Sequence, residues 1–275
     1  MDDRRAIPPT RSALLVIDMQ RDFCDARGYA ARAGLDVKHL AGVVGRIRLL
    51  LDAARAAGLL VIHTREGHLP DLSDCPPEKL RRSRAAGAEI GSVGPLGRLL
   101  VRGEYGHDFI DALVPHPGEP VIDKPGYGAF HRTGLEALLR ERGIDTLLLC
   151  GVTTEVCVHS TLREAIDRGL RCITVGDGCA AGNPALQQAA LDMIRVEGGI
   201  FGAVREASGL ARELQAMKSS QPAHVTSVGM PAGTSESAAG DAAAAGTEGS
   251  AAGRDERSAE AYANARNEAN TEGSA

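Results

Sequence analysis

The chain has 275 residues, 43% of them hydrophobic and 24% charged. This length and composition suit one globular domain together with a segment that does not fold. Its formal net charge is -5, and it has no block of Lys or Arg, which excludes nucleic acid as an expected partner. No stretch approaches the ~18 apolar residues of a membrane span, and no signal-peptide pattern opens the chain. We therefore expect a cytoplasmic protein that does not bind membranes.

Short runs rich in Val, Ile and Leu alternate along the chain with segments of helical apolar spacing. Such runs are typical of strands covered on both faces, and their alternation with helices indicates a parallel sheet flanked by helices. The predicted strands are Ala13–Ile17, Leu59–His63, Pro120–Ile122, Thr146–Cys150, Arg171–Val175 and the glycine-flanked Ile200–Val204. The predicted helices are Val37–Ala56, Thr133–Arg142, Glu155–Arg168 and Pro184–Val196.

The composition changes near Ser219 to Ala, Gly, Ser, Thr and Glu, with few large apolar residues. Such a segment cannot bury enough surface to offset the entropy lost on ordering. We therefore predict a folded domain over residues 1–218 and a disordered tail over residues 219–275, with a weak helix at Arg254–Asn270.

Three reactive side chains lie where predicted strands end: Asp18, Lys124 and, after a short turn, Cys157. The carboxyl ends of parallel strands share one edge of a sheet, so we expect these side chains to meet there. Cys157 falls in the first turn of a helix, where free N–H groups and the neighbouring Lys124 favour a thiolate. Asp18 is then placed to exchange protons with the sulfur, a leaving amine and water.

Attack by this nucleophile on a carbonyl carbon produces an oxyanion, which backbone N–H groups must stabilise. The backbone N–H of Cys157 and one from Val152 or Thr153 are the predicted donors. Each reactive residue also has an ordinary explanation, since Asp18 suits a turn, Lys124 a solvated surface and Cys157 a core. A non-catalytic binding protein and a redox cysteine protein are the alternatives, although the six cysteines form no C-x-x-C pair.

Three motifs together resemble the isochorismatase-like cysteine hydrolases, over roughly residues 8–205. They are LLVIDMQRDF at 14–23, DKPGYGAF at 123–130 and GVTTEVCV at 151–158. The resemblance implies a three-layer αβα sandwich with a six-stranded parallel sheet, a catalytic triad of Asp18, Lys124 and Cys157, and a cis peptide at Val152–Thr153. It also implies a homo-oligomer, as a dimer or tetramer, and hydrolysis of a small amide.

The family includes nicotinamidases, ureidoacrylate and N-carbamoylsarcosine amidohydrolases, and biuret hydrolases, and the substrate depends on the branch. Nicotinamidases carry an Asp-x-His metal site where this chain has Glu66-Gly67-His68, so we expect no metal and no cofactor. Residues 66–72 and 91–104 are most similar to the biuret hydrolase branch, which implies a planar, urea-like substrate. Another family amidase, acting on ureidoacrylate, an N-carbamoyl amide or nicotinamide, is the alternative.

Two further residues are predicted to bind the substrate. Glu197 occupies a position where similar biuret-cleaving proteins tend to have Gln, and a carboxylate pairs better with a guanidinium or amidine. This favours a cationic analogue of biuret such as guanylurea, unless Glu197 only caps a loop in solvent. Phe23 follows Asp18 closely and either walls the pocket or belongs to the core.

Overall fold

The structure is a computed structural model that describes residues 5–219. Six parallel strands form one sheet in the order β5–β2–β1–β6–β7–β8, and β3 and β4 form a short antiparallel pair. The predicted sheet is confirmed, including its sixth strand. The strands are β1 (Ser12–Ile17), β2 (Leu60–Glu66), β3 (Val93–Gly94), β4 (Gly97–Arg98), β5 (Val121–Lys124), β6 (Thr146–Val152), β7 (Arg171–Ala180) and β8 (Ala203–Arg205).

The central strands β1 and β6 are buried along their whole length, as continuous apolar runs covered on both faces require. They approach each other closely at Gly151, whose φ is 119°. A Cβ at this position would lie 2.0 Å from the carbonyl oxygen of Ile17. Only glycine therefore fits between the ends of the two strands that lead to Asp18 and Cys157.

Helices surround the sheet, and two of them, α4 and α10, pack against each other and contact β7. No helix among residues 5–219 is both long enough and apolar enough to cross a membrane. The helices are α1 (Arg21–Cys24), α2 (Tyr29–Arg32), α3 (Val37–Ala41), α4 (Val44–Ala57), α5 (Pro77–Ala85), α6 (Leu135–Glu141), α7 (His159–Asp167), α8 (Gln187–Ile194), α9 (Val196–Gly199) and α10 (Ala207–Ser219).

Five helices were not predicted from the sequence: the four-residue α1, α2 and α9, which are too short to show an apolar period, and the longer α5 and α10. The buried face of α10 consists of Ala207, Leu210, Ala211 and Leu214, a helical spacing that the sequence displays. The buried residues of α5 are the polar Lys79 and Ser83, so no apolar period marks that helix.

The remaining differences concern boundaries. The single predicted helix over 37–56 is two helices, α3 and α4, and β2 extends to Glu66 rather than ending at His63. The predicted tail and its weak helix lie outside the described residues, except for Ser219 at the end of α10.

Candidate active site

The carboxyl ends of β1, β2 and β5 bring three charged side chains together. Asp18 follows β1, while Glu66 and Lys124 are the last residues of β2 and β5 and are paired in the strand register. Cys157 approaches the same place from the turn after β6. An oxygen of Asp18, an oxygen of Glu66 and the sulfur of Cys157 all lie within 4.8 Å of one another. The structure thus brings the predicted trio together and adds Glu66 to it.

Asp18 is fully buried and adopts a left-handed backbone conformation, with φ of 52°. Its Oδ1 accepts a hydrogen bond from the hydroxyl of Thr64 at 2.6 Å, and its Oδ2 lies 2.8 Å from Lys124 Nζ. Burial raises the pKa of Asp18 and the charge of Glu66 adds to this, although Lys124 opposes both. A carboxylate with a raised pKa is suited to take up and return a proton near neutrality.

Lys124 is the cation at the centre of the cluster. Besides Asp18, its ammonium lies 3.4 Å from Glu66 Oε2 and donates to the carbonyl oxygens of Gly126 at 3.0 Å and Tyr127 at 2.9 Å. Burial alone would lower the pKa of Lys124, but the neighbouring carboxylates of Asp18 and Glu66 raise it. The ammonium therefore stays charged and holds both carboxylates in place.

Cys157 lies in a π-helical turn, Thr154–Val158, that precedes α7. The peptide bond between Val152 and Thr153 is cis, as the family resemblance implies. The turn is anchored from outside, because Thr154 donates its hydroxyl hydrogen to Gln187 at 2.9 Å and Glu155 accepts from the N–H of Gly182 at 2.8 Å. These contacts fix the position of the sulfur relative to the sheet.

The surroundings of the sulfur favour a thiol, whereas the sequence predicts a thiolate. Cys157 Sγ donates to Glu66 Oε2 at 3.2 Å and is 3% exposed. Burial raises the pKa of Cys157 well above its ordinary value, and Glu66 and Asp18 raise it further against the attraction of Lys124. Sequence reasoning counted the cation and the helix end, but it omitted burial and the second carboxylate.

Glu66 is bound on both oxygens. Its Oε1 lies 2.7 Å from Lys79 Nζ, a buried ammonium on α5 that also donates to the carbonyl oxygen of Pro125. Burial would raise the pKa of Glu66, but Lys79 and Lys124 together lower it to about 2. Glu66 is therefore ionised while Asp18 has a raised pKa, so the two carboxylates beside the sulfur differ in their readiness to hold a proton.

The three donor atoms of Asp18, Glu66 and Cys157 are close enough to surround a metal ion. The cation between the two carboxylates is instead Lys124 Nζ, at 2.8 Å from Asp18 and 3.4 Å from Glu66. Among residues 5–219, His68 forms no such group with Glu66, and its Nδ1 lies 3.2 Å from Asp74. The side chains of Glu66 and His68 therefore contact different partners, whereas the Asp and His of the nicotinamidase motif bind one metal ion.

The remaining predicted site residues occupy different surroundings. Val152 and Thr153 are buried next to the turn that carries Cys157, and their role at an oxyanion stays a prediction. Phe23 is 5% exposed and packs edge-on against Tyr29, with ring centroids 5.9 Å apart. Glu197 is exposed, with φ of 49°, and no described contact joins it to the cluster.

A cavity of about 320 Å³ lies beside the cluster and shares Lys79 and Tyr127 with it. Arg82 and Arg132 also line this cavity, as do Asp74 and Glu164. The carboxylates are already engaged: Asp74 accepts from the N–H of Leu69, and Glu164 from that of Phe130. An anionic group entering the cavity would therefore meet arginine side chains.

Comparison with known proteins agrees with this geometry. The Isochorismatase domain family model matches residues 12–207. The ureidoacrylate amidohydrolase RutB of Methylorubrum extorquens is 36% identical over 207 residues, which are 74% of this chain and 82% of that protein. RutB of Serratia proteamaculans is 34% identical over 215 residues, covering 77% of this chain and 86% of its own.

Two solved structures of similar hydrolases also match this fold. A cysteine hydrolase from Pseudomonas syringae pv. phaseolicola superposes with a TM-score of 0.67 and 31% identity, covering 78% of this chain and 97% of its own. N-carbamoylsarcosine amidase from Thermoplasma acidophilum has a TM-score of 0.56 and 28% identity, covering 72% and 96% of the two chains. The fold and the family resemblance are thereby confirmed, without selecting the biuret hydrolase branch.

Proposed function

This chain belongs to the isochorismatase family and is a hydrolase of amide C–N bonds, and we propose that its substrate is a small N-carbamoyl or ureido acid of the ureidoacrylate type. The observation that carries this proposal is the cluster in which a buried thiol, an ammonium and a carboxylate with a raised pKa meet. The named relatives direct the choice toward a ureido compound rather than biuret.

The cavity supplies the reason for an acid. Arg82 and Arg132 line the space next to Lys79, and guanidinium groups bind carboxylates with two parallel hydrogen bonds. A substrate with a ureido group for the sulfur and a carboxylate for these arginines matches this distribution of charge. Uncharged biuret and cationic guanylurea, which the sequence favoured, lack the carboxylate that these arginines would bind.

The proposed reaction has two stages. Asp18 takes the proton of the Cys157 thiol, and the sulfur attacks the ureido carbonyl carbon to give a tetrahedral oxyanion held by backbone N–H groups. Asp18 returns the proton to the terminal nitrogen, the C–N bond breaks and ammonia leaves. Water then gives a proton to Asp18 and attacks the thiocarbamate carbon, the C–S bond breaks to release the carbamic acid, and Asp18 returns the proton to the departing sulfur.

The test is ammonia release from a panel of 3-ureidoacrylate, N-carbamoylsarcosine, biuret, guanylurea and nicotinamide. We expect the highest kcat/KM on the carbamoyl acids, and loss of turnover by a factor of ~10³ or more in Cys157→Ala with the fold retained. A preference for biuret, guanylurea or nicotinamide would overturn the acid proposal. Full activity of Cys157→Ala would place the nucleophile elsewhere.

Arg82 has a matched control, Arg81, on its own helix, α5. Arg82→Gln and Arg132→Gln should raise KM for the carbamoyl acids and leave KM for biuret unchanged. Arg81→Gln removes an equal charge from α5, where Arg81 pairs with Glu78 at 2.7 Å, and should alter neither KM. Equal effects of all three substitutions would show that the cavity arginines do not contact the substrate.

A further inference from the structure

We propose that Glu66 is a positioning residue that holds Cys157 as a neutral thiol in the resting enzyme, so that the sulfur becomes nucleophilic only when Asp18 takes its proton. The geometry places the sulfur of Cys157 at 3.2 Å from Glu66 Oε2, in the position of a hydrogen-bond donor. The inference rests on the proposed function in one respect, namely that Cys157 is the nucleophile.

Two carboxylates, those of Asp18 and Glu66, lie beside the sulfur of Cys157. A carboxylate that accepts the S–H hydrogen bond orients the thiol and disfavours the negative charge on sulfur. Glu66 is suited to accept without taking the proton, because Lys79 lies 2.7 Å and Lys124 3.4 Å from its oxygens. Asp18, with one close ammonium, is the better base.

Burial makes this arrangement effective. Asp18 and Lys124 have no exposed surface, and Glu66, Cys157 and Lys79 are 3%, 3% and 5% exposed. Charges interact strongly where water is excluded. The charged groups that act on the sulfur are Asp18 after β1, Glu66 on β2 and Lys124 on β5, and Lys79 on α5 pairs with Glu66. The phenols of Tyr29 and Tyr127 also interact electrostatically with Cys157.

The consequence is a nucleophile that is protected until substrate is present. A thiol reacts slowly with alkylating agents and oxidants, because the thiolate is the reactive form. A substrate that enters the site and displaces the Cys157–Glu66 hydrogen bond frees the sulfur to pass its proton to Asp18. Glu66 thus acts through Cys157 rather than on the substrate.

The test measures alkylation of Cys157 by iodoacetamide against pH, with mass spectrometry of the Cys157 peptide to separate it from the other cysteines. In Glu66→Gln we expect the midpoint to move to lower pH and the rate near neutrality to rise about tenfold, the factor that one pKa unit produces. An unchanged midpoint, or one at higher pH, would overturn the proposal. The assay uses no amide substrate, so its outcome is separate from that of the substrate panel.

Glu119→Gln is the matched control, since Glu119 is also ion-paired and largely buried but contacts Arg55 and His63 instead of the sulfur. Its alkylation profile should equal that of the wild type. If Glu66→Gln does not fold, Lys79→Gln provides the opposite test. Removing this cation leaves the charge of Glu66 less balanced, so alkylation near neutrality should slow, and faster alkylation would contradict the proposal.

Discussion

The two ends of strand β5 both meet ion pairs, one partly buried and one fully buried, but only the buried one lies beside a nucleophile. Before β5, Glu119 receives both hydrogen bonds of the Arg55 guanidinium, at 2.7 and 2.9 Å, and a third contact from His63 at 3.0 Å. At the other end, the Lys124 ammonium is shared between Asp18 and Glu66. At the first end a guanidinium binds one carboxylate through two hydrogen bonds, whereas at the second end the Lys124 ammonium lies between two carboxylates and Lys79 contacts only Glu66.

The structural ion pair and the reactive site differ in the pKa values of their carboxylates. The pKa of Glu119 is lowered to about 2, so this carboxylate stays ionised and inert at neutral pH. At the other end the pKa of Asp18 is raised while that of Glu66 is lowered to about 2. Carboxylates whose pKa values are pushed apart beside a thiol can divide the work of moving and holding protons.

The sharpest test of this contrast is Asp18→Asn, which keeps the shape of the side chain and removes its proton transfer. We expect kcat/KM to fall by a factor of ~10²–10⁴, the usual contribution of a general acid–base group. Glu119→Gln makes the same chemical change at the other end of β5 and should leave kcat/KM close to the wild-type value. Comparable losses in both variants would break the distinction.

The pH dependence of wild-type activity tests whether Asp18 acts as the base. Asp18 must be ionised to accept the thiol proton, and burial raises its pKa above the usual aspartate range. Activity should therefore fall as pH decreases through this raised pKa, at a higher pH than an ordinary aspartate would give. An acid limb within the ordinary aspartate range would contradict the assignment.

Lys124→Met should have the next largest effect, this time on stability. The substitution leaves Asp18 and Glu66 buried with their shared cation removed, and breaking a buried pair in this way costs ~3–5 kcal/mol of unfolding free energy. Arg55→Met is the counterpart at the other end of β5. It should cost less, because its side chain is 19% exposed and that of Glu119 13%, and urea denaturation of both variants checks the order.

We expect a smaller effect from Glu119, whose contribution to the free energy of unfolding should depend on pH. Burial would raise its pKa, but hydrogen bonds from Arg55, the N–H of His116 and His63 lower it from 4.5 to about 2. A lowered folded-state pKa stabilises the fold above the unfolded value and loses that contribution as pH falls toward 2. The difference in unfolding free energy between wild type and Glu119→Gln should therefore shrink from pH 4.5 to 2, and a constant difference would refute this.

The smallest effect is expected at Glu197, which lies outside both ion-pair regions. Because its side chain is exposed and no described contact joins it to Cys157, Glu197→Gln should leave the ratio of kcat/KM for guanylurea and biuret unchanged. A shift of this ratio toward biuret would restore the prediction made from the sequence, that this carboxylate reads a cationic substrate.

Much of the fold was predictable because β1 and β6 are built on apolar runs that are buried along their whole length, the pattern of a strand covered on both faces. The convergence of Asp18 and Lys124 followed from the shared carboxyl edge of a parallel sheet. Glu66 was not found, since the predicted second strand ended at His63 and left Glu66 in a loop. The register of Glu66 opposite Lys124 depends on strand length, which sequence patterns define poorly.

Lys79 shows a second limit of sequence reasoning. A lysine is expected at the surface, and nothing in the local sequence signals that this one is buried against Glu66. Its burial depends on a partner 13 residues earlier in the chain, so it emerges only when the tertiary structure is known. The raised pKa of Cys157 was not foreseen for the same reason, because it depends on burial and on Lys124, Glu66 and Asp18, which come from three separate parts of the chain.

The close contact at Gly151 has a consequence for any effort to evolve this enzyme toward other amides. Because an added methyl group there would press on the carbonyl oxygen of Ile17, substitution must push the aspartate-bearing strand away from the cysteine-bearing one. Mutational libraries should leave position 151 untouched and draw their diversity from the cavity lining instead, where side chains can vary without moving the two strands apart.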